Sequence, residues 1–309
     1  MSKILVTGSG GLLGLAFKKI QSDFSNHELY FATRRDADLT DANQVRTLYK
    51  THQPEYVIHA AAKVGGIGFN RANPAEIFYE NILMNTYMIH YAYEFKVEKI
   101  VCYTSVCTFP DDVDILREEL QQGGKPFEDN FAYGYAKRMV DIQIKAYRQQ
   151  YGVNYCSVIP TNLYGPNDNF SISDGHVIPS MIHKCHLAKK NKTPLIIWGD
   201  GSPLREFVYS DDVARLTMKT IETKEYDKIL ISNNSEMISI KDICRLICYH
   251  MDFDGEVRFD TTKPKGQDRS PSDISRLKTL VPDVEFISHN DGIEQTVKWF
   301  VDNYPNVRV

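Results

Sequence analysis

Apolar positions in this chain follow two rhythms. Short continuous runs recur at residues 4–7, 28–32, 56–62, 99–103 and 154–159, each the length of one buried strand. Between them the apolar residues repeat at helical spacing: Leu15, Phe17 and Ile20 first, then Ile77, Phe78, Ile82, Tyr87, Ile89 and Tyr93, then Ala136, Met139, Val140, Ile144 and Tyr147. Strand alternating with helix predicts parallel strands joined by helical crossovers. Beyond residue 162 the runs shorten and the loops lengthen, leaving a strand at 195–198 and helices at 213–222, 240–251 and 291–303. We therefore expect an α/β fold: a Rossmann-type doubly wound parallel sheet from residues 1–162, completed by parts of 207–231, with a smaller C-terminal α/β substrate lobe over 163–309. Ser210 and Asp211 are expected to cap 213–222, and Ser239 to cap 240–251.

Composition narrows the partners. The 309 residues carry a net charge of −4, with 42% hydrophobic and 25% charged residues, so neither nucleic acid nor a membrane surface is expected as the main partner. Six cysteines, at 102, 107, 156, 185, 244 and 248, show no Cys-x2-Cys spacing, which suits reduced thiols in a cytoplasmic setting and no metal site. Met1-Ser2-Lys3 runs straight into the first strand, so no signal peptide is expected, and no apolar run reaches membrane-spanning length.

Candidate chemistry begins at the first strand-to-helix turn. Gly8-x2-Gly11-x2-Gly14, with Leu12 opening the helix, allows a tight turn, close approach of a pyrophosphate and close helix packing. The next strand ends in Thr33-Arg34-Arg35-Asp36, where two guanidiniums precede the acid; they suit the 2′-phosphate of NADP, or else are solvated arginines on a turn. Asp38 and Leu39 stand where adenine would be positioned, and Asp41 either shares that role or is a helix cap. Ala60, Ala61 and Ala62 end an apolar strand with residues small enough for a cofactor to lie against, and Lys63 either touches phosphate or points to water.

Tyr133 and Lys137 sit four apart where a helix begins, hence on one face, and a neighbouring ammonium is expected to lower the phenol pKa for proton transfer beside a nicotinamide. Ser105 follows the strand at 99–103 and is placed to hydrogen-bond a reacting oxygen. Cys107 lies on the same face if that strand continues, and is either a reactive or an inert buried thiol. His176 stands at a helix entrance, within reach of a cleft, ahead of a basic stretch that includes Lys184. Trp198 either stacks on a ligand or packs, and Arg205 either grips a phosphate or pairs with Glu206. Residues 261–273, including Arg269, are expected to form a loop.

These motifs together resemble the extended short-chain dehydrogenase/reductases that act on nucleotide sugars, and most closely the GDP-L-fucose synthases. The resemblance spans nearly the whole chain and rests on Ala60-Ala61-Ala62-Lys63-Val64-Gly65-Gly66, Ser105-Val106-Cys107, Tyr133-x3-Lys137, residues 160–170, His176-Val177-Ile178-Pro179 and Trp198-Gly199-x-Gly201-x-Pro203-x-Arg205-Glu206-Phe207. It implies an NADPH-dependent enzyme that takes GDP-4-keto-6-deoxy-D-mannose, epimerises C3 and C5, and reduces C4. It further implies that Cys107 and His176 are the acid/base pair of epimerisation, with Ser105, Tyr133 and Lys137 serving reduction. Pro160, Asn162, Leu163 and His176 then border the cofactor with Lys137, while Lys184, Trp198, Arg205 and Arg269 hold the GDP portion. The late loop departs from the family, with Ser270 where a second cation is usual. A homodimer is implied through the helices at 77–93 and 139–147. The rivals are another nucleotide-sugar 4-reductase or epimerase of the same fold, and an NADP-binding sensor without turnover.

Overall fold

The computed structural model describes residues 1–223, 226–234, 236–262 and 270–309. In chain order it comprises β1 (Ser2–Thr7), α1 (Leu12–Ile20), β2 (His27–Phe31), α2 (Ala42–His52), β3 (Tyr56–His59), α3 (Ile67–Ala72), α4 (Pro74–Glu94), β4 (Lys99–Tyr103), α5 (Phe131–Tyr151), β5 (Cys156–Pro160), β6 (Asn162–Tyr164), α6 (Val177–Asn191), β7 (Leu195–Trp198), β8 (Leu204–Tyr209), α7 (Ser210–Thr220), β9 (Lys228–Ile231), β10 (Met237–Ser239), α8 (Ile240–His250), β11 (Val257–Asp260), α9 (Ser275–Leu280) and α10 (His289–Asn303).

Six parallel strands form the main sheet in the order β2-β1-β3-β4-β5-β9. Helices cover both faces, which is why β4 and β5 are buried along their whole length and read as unbroken apolar runs. One core, with Val6, Phe17, Ile58, Val101 and Val158, lies under α1 and α7; the other, with Leu5, Leu48, Val57, Ile89 and Ile144, lies under α2, α4 and α5. The chain reverses direction across the sheet between β2 and β3, on either side of β1, and a crevice at such a switch point is the usual ligand site of an open α/β sheet.

The smaller part has its own core, built from Ile178, Ile182, Ile197, Phe207, Ile243, Ile247, Ile293 and Phe300. It carries two small sheets, β10-β8-β6 and β11-β7. The chain crosses between the two parts several times. β9 joins the main sheet at its edge, and Ile274 and Leu277 of the α9 region pack into the first core.

Local chemistry fixes the helix ends. Ser239 caps α8 by accepting from the Asp242 N–H at 3.0 Å, and Ser288 caps α10 by accepting from Asp291 N–H at 3.1 Å, so α10 starts earlier than its apolar stripe. The expected capping of α7 by Ser210 and Asp211 does not occur: both lie inside the helix, behind Tyr209. Asp211 instead accepts from Lys19 at 2.6 Å, an ion pair that ties α7 to α1. No helix among the described residues is long and apolar enough to cross a membrane.

Candidate active site

The turn after β1 is shaped by what it touches. Gly8 has φ +71°, and a Cβ there would stand 2.7 Å from the backbone of both Ala60 and Ala61 at the end of β3. Only a residue without a side chain lets the two strand ends meet this closely. A Cβ on Gly14 would lie 2.4 Å from the Gly8 carbonyl oxygen, so α1 is seated directly on the turn. Ser9 Oγ pins the turn to β2 by donating to the Ala32 carbonyl at 2.7 Å, and the Gly11 N–H closes it onto Gly8 O at 2.9 Å. Gly11 occupies the N-cap of α1 and offers no side-chain acceptor, so the first N–H groups of that helix, from Leu12 on, face the crevice with the helix dipole behind them. This cradle fits a pyrophosphate.

At the end of β2 the acid is already engaged. Asp36 Oδ2 accepts from Thr33 N–H at 2.7 Å and Thr33 Oγ1 at 2.6 Å, and Oδ1 accepts from Tyr30 OH at 2.9 Å. The Thr33 bonds, then Tyr30, hold this carboxyl below its ordinary range. Arg34 and Arg35 are left exposed on the same turn. Asp38 turns onto its own loop, accepting from Thr40 N–H at 2.9 Å, and Leu39 is half-buried against the α2 core. Asp41 is the cap of α2, accepting from Asn43 and Gln44.

Beyond β3, Lys63 pairs with Glu76 at 2.8 Å and Glu80 at 2.6 Å, so its charge faces α4. Asn81 clasps the backbone of Lys63 from both sides, a hydrogen-bonding role, with its Oδ1 at 3.2 Å and its Nδ2 at 2.8 Å. His59 carries no motif signal in the sequence although it stands alone in an apolar strand. Its ring bonds Thr7 Oγ1 at 2.7 Å and Asn85 Oδ1 at 3.0 Å, tying β1, β3 and α4 together beneath the cradle. Burial first, and then the Lys137 charge, push His59 down to about 3.

The expected continuation of β4 past Ser105 is replaced by a turn. β4 ends at Tyr103, and residues Val106–Thr108 form a single 3-10 turn capped by Ser105, whose Oγ accepts from Cys107 N–H at 3.2 Å. Ser105 and Cys107 are therefore neighbours through a capping bond and not through strand alternation. Arg138 Nε of α5 fixes the far side of the turn, donating to Thr108 O at 2.6 Å. Ser105 and Cys107 are both half-buried.

Tyr133 and Lys137 open α5 beside that turn, 7% and 2% exposed. Lys137 Nζ lies 5.9 Å from the centre of the Tyr133 ring and donates to the Tyr103 carbonyl at 2.8 Å. The sequence-based expectation of a lowered phenol pKa is corrected here: burial, with a smaller contribution from Cys107, pushes Tyr133 above its ordinary value. Burial likewise pulls Lys137 down to about 8. The helix face brings the two side chains to one place, but removal from water outweighs their mutual effect.

In the smaller part, His176 is the N-cap residue of α6 and is exposed. Two turns further along α6, Lys184 Nζ stands 5.0 Å from the centre of the Trp198 ring. Both line an open pocket of about 240 Å³ together with Ile172, Leu187, Asn191 and Pro194. Trp198 is 58% exposed. Burial lowers the Lys184 pKa. Arg205 is half-buried on β8, with Nη1 donating to Leu204 O at 2.6 Å. Its neighbour Glu206 turns inward, accepting from Ser272 N–H at 2.7 Å and from the Ser272 hydroxyl. Pro160 ends β5, buried; Asn162 Nδ2 donates to Glu206 O at 2.8 Å, and Leu163 packs on the first core. Arg269 lies outside the described residues.

A family model described as the NAD dependent epimerase/dehydratase family matches residues 4–231. The GDP-L-fucose synthase of Dictyostelium discoideum is 41% identical, with 99% of this chain and 97% of that protein covered. The GDP-L-fucose synthase of Escherichia coli (strain K12) is 32% identical, over 99% of this chain and 98% of that protein. The crystal structure of a GDP-L-fucose synthetase from Naegleria fowleri bound to NADP superposes with a TM-score of 0.94, at 35% identity, covering 100% of this chain and 95% of that one.

Proposed function

Because this chain belongs to the NAD dependent epimerase/dehydratase family and, within it, to the GDP-L-fucose synthases, we propose that it converts GDP-4-keto-6-deoxy-D-mannose to GDP-L-fucose with NADPH. The observation that carries this reading is the packing of the Ser105–Cys107 turn against the start of α5, which sets a serine, a thiol, a phenol and an ammonium along one edge of the crevice. The residues fit the cofactor: the Gly8 turn admits backbone this close only without side chains, and Arg34 and Arg35 are exposed on the turn after β2, the cations this reading assigns to the ribose phosphate. The reading assigns Gly11, Leu12, Gly14, Ala61, Pro160 and Leu163 to its surroundings. The hydride at C4 is what NADPH supplies when bound.

The chain's own groups do the rest. A hydrogen next to the C4 ketone is acidic because the electron pair left behind spreads onto oxygen. Cys107 takes that proton from one face, Ser105 and Tyr133 hold the enolate oxygen, and His176 returns a proton from the other face, inverting the carbon. The same pair serves C3 and C5. In reduction Tyr133 gives its proton to the new C4 oxygen, and a phenol that burial keeps protonated at neutral pH is suited to that donation. Lys137, held by the Tyr103 carbonyl, orients the ribose, and its positive charge stabilises the phenolate left on Tyr133 until that oxygen recovers a proton from solvent. Lys184 and Trp198 grip the GDP portion, with Arg205 on its phosphates.

Further support bears on the assembly. α4 and α5 lie side by side and leave Phe78, Tyr79, Met139 and Ile142 between 40% and 63% exposed, a surface suited to a second copy of the chain. None of the six cysteines is in a disulfide, in keeping with a cytoplasmic enzyme.

The test mixes protein, NADPH and GDP-4-keto-6-deoxy-D-mannose, follows the reduced nicotinamide absorbance and identifies the sugar by NMR. Loss of absorbance with GDP-L-fucose formed is the expected result. An unepimerised deoxy sugar would leave a reductase and remove the Cys107 and His176 roles; no consumption would remove the substrate.

A further inference from the structure

The loop between β6 and α6 holds a carboxyl group that the reaction as described does not use. Asp168 is 4% exposed. Its Oδ1 accepts from the Asn169 N–H at 2.7 Å, while Oδ2 is buried with no hydrogen-bond partner among the described residues. An unsatisfied carboxylate oxygen inside a protein costs free energy, so something should make up for it.

The fold of the loop shows what is near. Gly175 N–H donates to Ser171 O at 3.0 Å, and a Cβ on Gly175 would stand 2.5 Å from Asn169 O and 2.4 Å from Ser171 O. The loop has doubled back until residue 175 touches residue 169. Asp168 and His176 are the residues immediately outside that contact, one on each strand of the doubled loop. Electrostatics agree: burial pushes the Asp168 carboxyl up, and the strongest pull back comes from the His176 charge, ahead of the Asn169 N–H and Arg308. Arg308, whose carbonyl accepts from Phe170 N–H at 2.8 Å, is the rival partner, and its pull on the carboxyl is weaker than that of His176.

We propose that Asp168 is a positioning residue for His176: the two are not hydrogen-bonded in this structure, and a rotation of the exposed imidazole lets one ring nitrogen donate to the buried carboxyl so that the other is presented to the substrate carbon. This rests on the acid role given to His176 above. In the step itself the imidazolium N–H bond breaks, a C–H bond forms at the enolate carbon, and the neutral ring recovers its proton from water. Asp168 stays a carboxylate throughout; it fixes the tautomer and the ring plane and stabilises the cation before transfer. An exposed histidine at a helix entrance would otherwise be free to turn away.

The experiment compares Asp168→Asn, His176→Asn and Arg308→Ala in the full-length protein. The readouts are inversion at C3 and C5 in the product, C4 reduction and NADPH affinity. Asp168→Asn is expected to slow inversion on the order of 10²-fold with NADPH affinity unchanged and the ketone still reduced, while Arg308→Ala leaves all three near parent values. Inversion within twofold of parent for Asp168→Asn, when His176→Asn abolishes it, overturns the proposal alone. Retained inversion in His176→Asn overturns the acid role itself, a different result. If Asp168→Asn does not fold, the parent labelled with 15N-histidine decides. A His176 ring signal, assigned by its loss in His176→Asn, should report one nitrogen hydrogen-bonded to a carboxylate; the tautomer mixture of free imidazole would overturn the proposal.

Discussion

The two halves of the proposed site are built to opposite standards. On the sheet side, Tyr133 and Lys137 are withdrawn from water, braced by the interior and anchored to a β4 carbonyl. The other pair is open to water: Cys107 is half-buried on the single turn beside them, and His176 is exposed at the end of a folded-back loop. The difference follows from the two chemistries. Hydride transfer is protected by a dry setting, whereas a thiol that has taken a proton from one carbon must shed it to solvent before it can act on the next. One site can run both only if its dry and wet walls are separate, and here they belong to different structural elements.

The sharpest way to break this contrast is Tyr133→Phe. C4 reduction is expected to fall about 10³-fold, while deuterium wash-in at C3 and C5 falls no more than about tenfold because Ser105 still holds the enolate oxygen. Equal loss of both in NMR time courses would mean that the walls are not separate.

A smaller effect probes how dry the sheet side is. Lys137 is held down to about 8 by burial, against 10.5 in water. Between those values the unfolded chain keeps a proton that the folded chain has released, so stability rises with pH there. The penalty for burying the charge, about 3 kcal/mol below pH 8, is relieved as the pH climbs. Denaturant unfolding of the nucleotide-free protein from pH 7 to 9.5 should therefore show the parent gaining on Lys137→Met. A constant difference would show that water reaches the ammonium.

The smallest effect is expected outside both walls. Lys184→Ala should raise the KM for the GDP-sugar about tenfold, with kcat within twofold and the KM for NADPH unchanged, since the cation over Trp198 contributes to binding and not to the reaction. A fall in kcat of the same size would place Lys184 nearer the reacting carbons.

What could be read from the chain alone followed the reach of each signal. Unbroken apolar runs marked β1, β3, β4 and β5 because both faces of those strands are covered, and the glycine turn was recognisable because it is local. Tyr133 and Lys137 could be paired by helix spacing, yet their protonation could not, because burial is set by residues far away in sequence. Extending β4 through Cys107 failed since a serine followed by a short turn leaves no periodic trace. Ser210 and Asp211 looked like caps until Lys19, far earlier in the chain, drew one of them aside. Nothing in the sequence marks Asp168, because the pairing proposed for it depends on a loop folding back on itself, which no residue spacing reports.

The cradle and the loop carrying His176 are also mechanically joined. Gly66, in the segment after β3, donates its N–H to Asp174 O at 2.7 Å, and a Cβ on Gly66 would stand 2.8 Å from Gly175 O. Such a contact works like the meeting faces of a hinge: neither leaf can be lengthened without refitting the other. Insertions and deletions in these two segments should therefore be inherited together, and a graft of one loop from a relative should work only when its counterpart travels with it.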